Sequence, residues 1–140
     1  MAVVPTSPQI SVEEYQKTSY PDGDREYLDS VVMERNIGSP SHSALQKILI
    51  VHLAAFESGL QIAVRPECRT RIQETRYRVP DIDEAIPSDR PGVLDAPLLI
   101  IEILSADDRM KDAMQRFSEY EKLGVRYVVQ MDGISPASRF

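Results

Sequence analysis

Seven residues, Leu98-Leu-Ile-Ile-Glu-Ile-Leu104, constrain the fold more than any other part of the chain. The run is almost uniformly apolar, yet far shorter than the ~20 residues a membrane-spanning helix needs. It fits a central strand covered on both faces, and such a strand needs helices on either side of its sheet. The flanking sequence supplies them. Between His42 and Ser58, the residues Leu45, Ile48, Leu49, His52 and Phe56 recur at three- and four-residue spacing. That spacing predicts a helix with one apolar stripe, His52 in its core-facing centre, and Gly59 as its stop. A second helix is expected over Asp107–Lys122, with Met110, Met114, Phe117 and Glu121 on its inner side and Gly124 ending it.

The other elements are shorter. Ser11-Val-Glu-Glu14 has the capping-box spacing of a helix start, and Pro21-Asp-Gly-Asp24 ends that segment. Glu26–Asp29 and Val31–Asn36 read as a hairpin around Asp29-Ser30. Gln61–Arg65, Glu67–Gln73, Arg76–Asp81 and Val125–Met131 read as strands, and Ile86–Pro97, with three prolines and a glycine, as a loop. The order predicts an α/β domain: a central mixed β-sheet flanked by helices. A length of 140 residues fits one domain. It is expected over 10–132, with a loose arm at 1–9 and a tail at 133–140. A terminal strand at Val125–Met131 with an unpaired edge would invite pairing with another chain, so a homodimer or higher association is expected, or else a poorly ordered closing strand.

The net charge of −6 argues against a protein that coats nucleic acid non-specifically, but a local basic groove remains compatible with it. The basic concentration is Arg65, Arg69, Arg71, Arg76 and Arg78. By the two-residue period of a strand, Arg69 and Arg71 share a face, as do Arg76 and Arg78. They read either as a phosphate track leading to Asp81 or as solvated faces paired with Glu67 and Glu74. The lone Cys68 cannot form an intrachain disulfide, and the N-terminal residues lack the basic-then-apolar pattern of a secretory leader. A cytoplasmic protein, with no membrane partner, is expected. With no Cys or His at ligand spacing from Cys68, no zinc site is expected.

Two carboxylates carry the chemical signal. Glu102 interrupts the apolar run, where an ionised group is costly unless paired or bound to a metal. Asp81 follows Pro80, which suits a strand end because proline cannot donate to a ladder. Two such acids can converge on one Mg2+ or Mn2+, which takes oxygen ligands and keeps several waters. Taken alone, the pair would repel. On that reading Asp81→Asn or Glu102→Gln would melt no lower than the wild type without metal.

Taken in order, several segments resemble the bacterial family of proposed restriction endonucleases called Uma-two, in the PD-(D/E)XK superfamily. They are Ile10-Ser-Val-Glu-Glu-Tyr15, Glu26-Tyr-Leu-Asp29, Glu34-Arg35, the helix start Ser39-Pro-Ser-His42, Arg78-Val-Pro-Asp81, Ile101-Glu-Ile-Leu-Ser105, Asp108-Arg109, and Tyr120…Gly124-Val125…Asp132. The resemblance implies a restriction-endonuclease-like core. It also implies metal-binding acids at Asp81 and Glu102, an assisting glutamate at Glu26, and His42 beside the cleft. The superfamily lysine would fall on position 104, which is Leu104. In this family the cation is expected on the following helix, where the matching residue is Arg116. Arg109, Arg116 and Tyr120 share one edge of that helix, so Arg116 can reach the site. Arginine stays protonated and cannot serve as a general base, but it can stabilise charge on a phosphate. Ser30 stands where the family usually has a hairpin glycine. The resemblance therefore implies a Mg2+-dependent endonuclease acting on nucleic acid, with DNA expected as the substrate. The competing reading is a catalytically inactive nuclease-fold binding module.

Overall fold

The computed structural model describes residues 9–35, 39–85, 96–105 and 108–132. The expected tail, most of the expected arm and residues 86–95 of the expected loop lie outside the described residues. The chain runs α1 (Val12–Lys17), β1 (Glu26–Leu28), β2 (Val31–Met33), α2 (Pro40–Ala54), α3 (Glu57–Leu60), β3 (Ala63–Pro66), β4 (Thr70–Gln73), β5 (Arg76–Arg78), β6 (Ile82–Ala85), β7 (Leu99–Leu104), α4 (Met110–Leu123) and β8 (Tyr127–Asp132). The α/β class is as expected, but the strands divide into two four-stranded sheets instead of one. The first is antiparallel, in the order β2-β1-β5-β4. The second, β3-β6-β7-β8, is mixed, with β7 and β8 parallel.

The strand β7 is central and buried from Ile100 to Ile103, as its composition demands. Its alternation sorts the side chains. Ile101 and Ile103 join Ile82 and pack under Leu45, Leu49, Ile50 and Leu53 of α2. Ile100 and Glu102 face the other way, towards Tyr120 of α4. A third cluster stacks Tyr15 of α1 on Tyr27, with ring centroids 4.9 Å apart, and holds Tyr77 beside them.

Local signals explain most boundaries. The Ser11 hydroxyl accepts from the Glu14 amide at the start of α1, and the Ser39 hydroxyl accepts from the His42 amide at the start of α2, with Pro40 in the first turn. Gly124, at φ 101°, terminates α4 in the left-handed conformation. Gly59 has no such role: it lies inside α3, and the left-handed residue there is Gln61. Strand β6 was not legible in advance, because Asp83 and Glu84 break its apolar pattern. Asp83 is nonetheless buried, accepting two hydrogen bonds from Arg65 at 3.1 and 2.8 Å. His52 is exposed instead of buried, since α2 turns only its Leu45–Leu49–Leu53 side to the sheet.

The β1–β2 turn holds both Asp29 (φ 51°) and Ser30 (φ 80°) in the left-handed region. An L-residue there costs about 1–2 kcal/mol, and glycine escapes most of that cost. Ser30→Gly is therefore expected to stabilise the domain by up to about 1 kcal/mol in chemical denaturation.

Candidate active site

Glu26 and Glu102 line one open cleft of about 360 Å3, and Asp81 lies buried behind it, joined to Arg35 and His42, which do line it. Asp81 arrives where the chain crosses from β5 to β6. Its Oδ2 accepts from the Ile103 amide at 2.7 Å, which fixes the carboxylate against β7. Its Oδ1 lies 3.3 Å from His42 Nε2, and one turn further along α2 the Gln46 side chain donates through Nε2 to the Asp81 backbone oxygen at 2.9 Å. The Ser39 cap thus has a functional consequence, because it sets the first turn of α2 so that His42 faces Asp81.

Glu102 points from β7 towards α4, where the Tyr120 hydroxyl donates to its Oε1 at 2.7 Å. The two carboxylates share a partner. Arg35 Nη2 lies 3.1 Å from Asp81 Oδ1 and 3.4 Å from Glu102 Oε2. Glu26, buried at the start of β1, accepts from the Val79 amide at 2.8 Å, from Arg78 at 3.3 Å and from both terminal nitrogens of Arg116. Arg116 Nη1 also stands 3.7 Å from Glu102 Oε1. Glu119 binds Arg78 at 2.7 Å and Arg76 at 2.6 Å, which closes the network on its outer side.

Burial pushes the Glu102 carboxyl above the usual glutamate range; Arg35 and Arg116 pull against this, and Asp81 adds to it. Burial together with the Glu102 charge raises the Tyr120 phenol, so Tyr120 remains a donor to that carboxylate. Burial opposes the Arg116 charge, but Glu26 and Glu102 outweigh it and raise its pKa further. Arg116 therefore stays a fixed cation. Glu119 moves the opposite way to Glu102: burial works to raise it, and the guanidiniums of Arg78 and Arg76 win and lower it. A depressed folded-state pKa stabilises the fold above the unfolded value of 4.5, and the contribution is lost as pH falls through it. Glu119→Gln should accordingly be less stable than the wild type at pH 7, and the difference should shrink as pH falls below 4.5, which urea titrations across that range would show.

Asp81 and Glu102 fit a divalent cation. Both are oxygen donors, and one oxygen of each already converges on a single cationic atom. Among the described residues no three His, Cys, Asp or Glu side chains group as a metal cage. Two carboxylates with waters are nevertheless a sufficient ligand set for Mg2+.

The other expected site residues divide. Arg76 and Arg78 line the cleft, but both are committed to carboxylates there. Arg69 is remote from it. It is clamped by Asp24 at 2.8 Å and by the backbone oxygens of Tyr15 and Thr18, over the Tyr15 ring. Arg71 does not line the cleft either. A continuous track through Arg69 and Arg71 is therefore not formed, because Arg69 is used to dock α1. Arg69→Ala is expected to cost roughly 2–3 kcal/mol of stability while leaving the salt dependence of nucleic-acid binding unchanged.

The inner face of α4 also differs from expectation. Met110 and Met114 are 69% and 56% exposed, while Ala113 and Tyr120 are buried. The helix turns Arg116 inward to Glu26, so a count of apolar residues alone selects the wrong face. The expected repulsion between Asp81 and Glu102 is likewise offset by Arg35, Arg116, His42 and Tyr120. Arg35 and Glu119 had no assigned role. Arg35 enters the sequence reading only within the resembling segment Glu34-Arg35 and Glu119 only as a charge, and neither signal reveals a partner dozens of residues away.

The Uma2 family model, described as "Putative restriction endonuclease", matches residues 12–137. The chain belongs to that family. A crystal structure from Anabaena variabilis, described as a "putative nuclease", superposes with a TM-score of 0.74. The two are 22% identical, and the match covers 88% of this chain and 74% of that one. At that identity the likeness shows the fold alone. No curated protein matches. No helix among the described residues is long and apolar enough to cross a membrane.

Proposed function

We propose that the cleft is the active site of a cytoplasmic Mg2+-dependent endonuclease that hydrolyses phosphodiester bonds, with DNA as the expected substrate. The observation that carries this reading is the convergence of Asp81 Oδ1 and Glu102 Oε2 on one cationic nitrogen, that of Arg35, which with Glu102 lines an open cleft. Asp81 and Glu102 would hold the ion, Mg2+ or Mn2+. When bound, such an ion polarises a phosphoryl oxygen and lowers the pKa of a water. The Ile103 amide and the Tyr120 hydroxyl fix the two carboxylates, so their orientation is set before substrate arrives. Arg116, permanently charged, stands where charge on a phosphate can be stabilised. Glu26 assists by holding Arg116 in place.

The second reading, a catalytically inactive binding module, is favoured by Leu104 at the lysine position and by the engagement of Arg116 with Glu26. A cleavage assay separates the two. With Mn2+, the wild type should cut supercoiled plasmid or short single strands, and Glu102→Gln should lose at least about a hundredfold in rate. Equal activity in both, or none in either, contradicts the nuclease reading. A homodimer is the association expected of the β8 edge, where Tyr127 and Val129 are exposed; a monomer in sedimentation would contradict it.

A further inference from the structure

We propose that Arg35 is the cleft's built-in counter-cation: its guanidinium holds Asp81 and Glu102 in the metal-free protein, yields that place to a divalent cation, and then becomes a ligand for the substrate phosphate. The inference rests on the metal reading of the cleft. Its basis is that one atom, Arg35 Nη2, lies 3.1 Å from an Asp81 oxygen and 3.4 Å from a Glu102 oxygen. The carboxylates are almost wholly buried, and two negative charges side by side in that setting demand a cation. Arg116 cannot fill the role, because it is committed to Glu26 and approaches only Glu102, at 3.7 Å. Among the described residues, Arg35 alone is ion-paired to both acids.

A guanidinium and a small divalent cation compete for the same lone pairs. Mg2+ binds carboxylate oxygens at about 2.1 Å and leaves no room for an N–H donor between them. Arg35 is also placed to move. It follows β2 by two residues instead of sitting in the ladder, and its side chain reaches the cleft from the wall. Once released it would carry a planar set of donors beside the acids, and those donors match a phosphate bidentately. The exchange keeps the charge of the site nearly balanced in both states.

If metal must displace Arg35, the wild type binds metal more weakly than its two carboxylates allow. Titration calorimetry of the full chain with Mn2+ should then show Arg35→Gln binding about tenfold more tightly than the wild type or better, a difference worth about 1.4 kcal/mol. With Ca2+ in place of Mn2+, the same variant should bind a short DNA duplex several-fold more weakly. If the wild type binds Mn2+ and Arg35→Gln binds it equally or more weakly, the exchange is wrong and the metal reading stands. If neither binds Mn2+, both are wrong. Should Arg35→Gln not fold, the wild type supplies the readout. The Arg35 Nε–H resonance should shift and exchange faster with solvent as Mg2+ is added, and a resonance that does not respond while Mg2+ binds overturns the proposal.

Discussion

Replacing Glu26 with alanine is expected to cost about 3–5 kcal/mol of folding stability, the range for breaking a buried ion pair from one side. The loss is large because Glu26 is not an isolated acid. One buried carboxylate accepts from the Val79 amide, Arg78 and Arg116, and so ties β1, the end of β5 and α4 together. Alanine strands a buried amide, and it leaves two guanidiniums facing each other without their shared anion. A domain of this size has roughly 5–15 kcal/mol to lose, so the variant should be close to unfolding at 37 °C. Glu26→Gln keeps an acceptor for the Val79 amide and should recover part of the loss. Urea denaturation of the three proteins measures this, and a change under about 1 kcal/mol for alanine would contradict the network.

Asp81→Asn is expected to lower stability by roughly 1.5–3 kcal/mol in metal-free buffer, the value of a hydrogen bond to a charged group. The expectation from sequence was the reverse, because two bare acids repel and neutralising one relieves them. In the structure Arg35 stands between Asp81 and Glu102 and His42 faces Asp81, so the substitution removes an attraction. A double-mutant cycle isolates the pair: Asp81→Asn combined with Arg35→Gln should cost less than the sum of the two single changes. Strict additivity would place Arg35 outside the interaction.

The legible parts of this protein are those governed by local rules. Strand β7 announced itself by an apolar run that only double burial explains, and Glu102 by being charged inside it. The starts of α1 and α2 followed from Ser11 and Ser39, whose hydroxyls do what capping residues do. Asp81 was visible through Pro80 and the family resemblance. Strand β6, the inner face of α4 and the place of Arg69 are not legible, because each depends on a charged residue whose partner lies elsewhere in the chain. Asp83, Arg116 and Arg69 are all satisfied by partners far along the chain: Arg65, Glu26 and Asp24. Buried ion pairs invert the hydrophobic pattern, and nothing local in the sequence marks which charges will find each other. The split into two sheets was hidden for a related reason. Strand lengths and spacing do not say where Pro80-Asp81 leaves one sheet for the next.

Melting temperature with and without Mg2+ tests the metal site most directly. A ligand that binds only the folded state at a hundredfold excess over its dissociation constant stabilises it by about 2.7 kcal/mol. For a domain of this length that is a rise on the order of 10 °C. The wild type should show that rise with Mg2+ or Mn2+, and Asp81→Asn and Glu102→Gln should lose it while still folding. A wild-type melting temperature indifferent to both ions, or an undiminished rise in both variants, would contradict the assignment of Asp81 and Glu102 as the metal site.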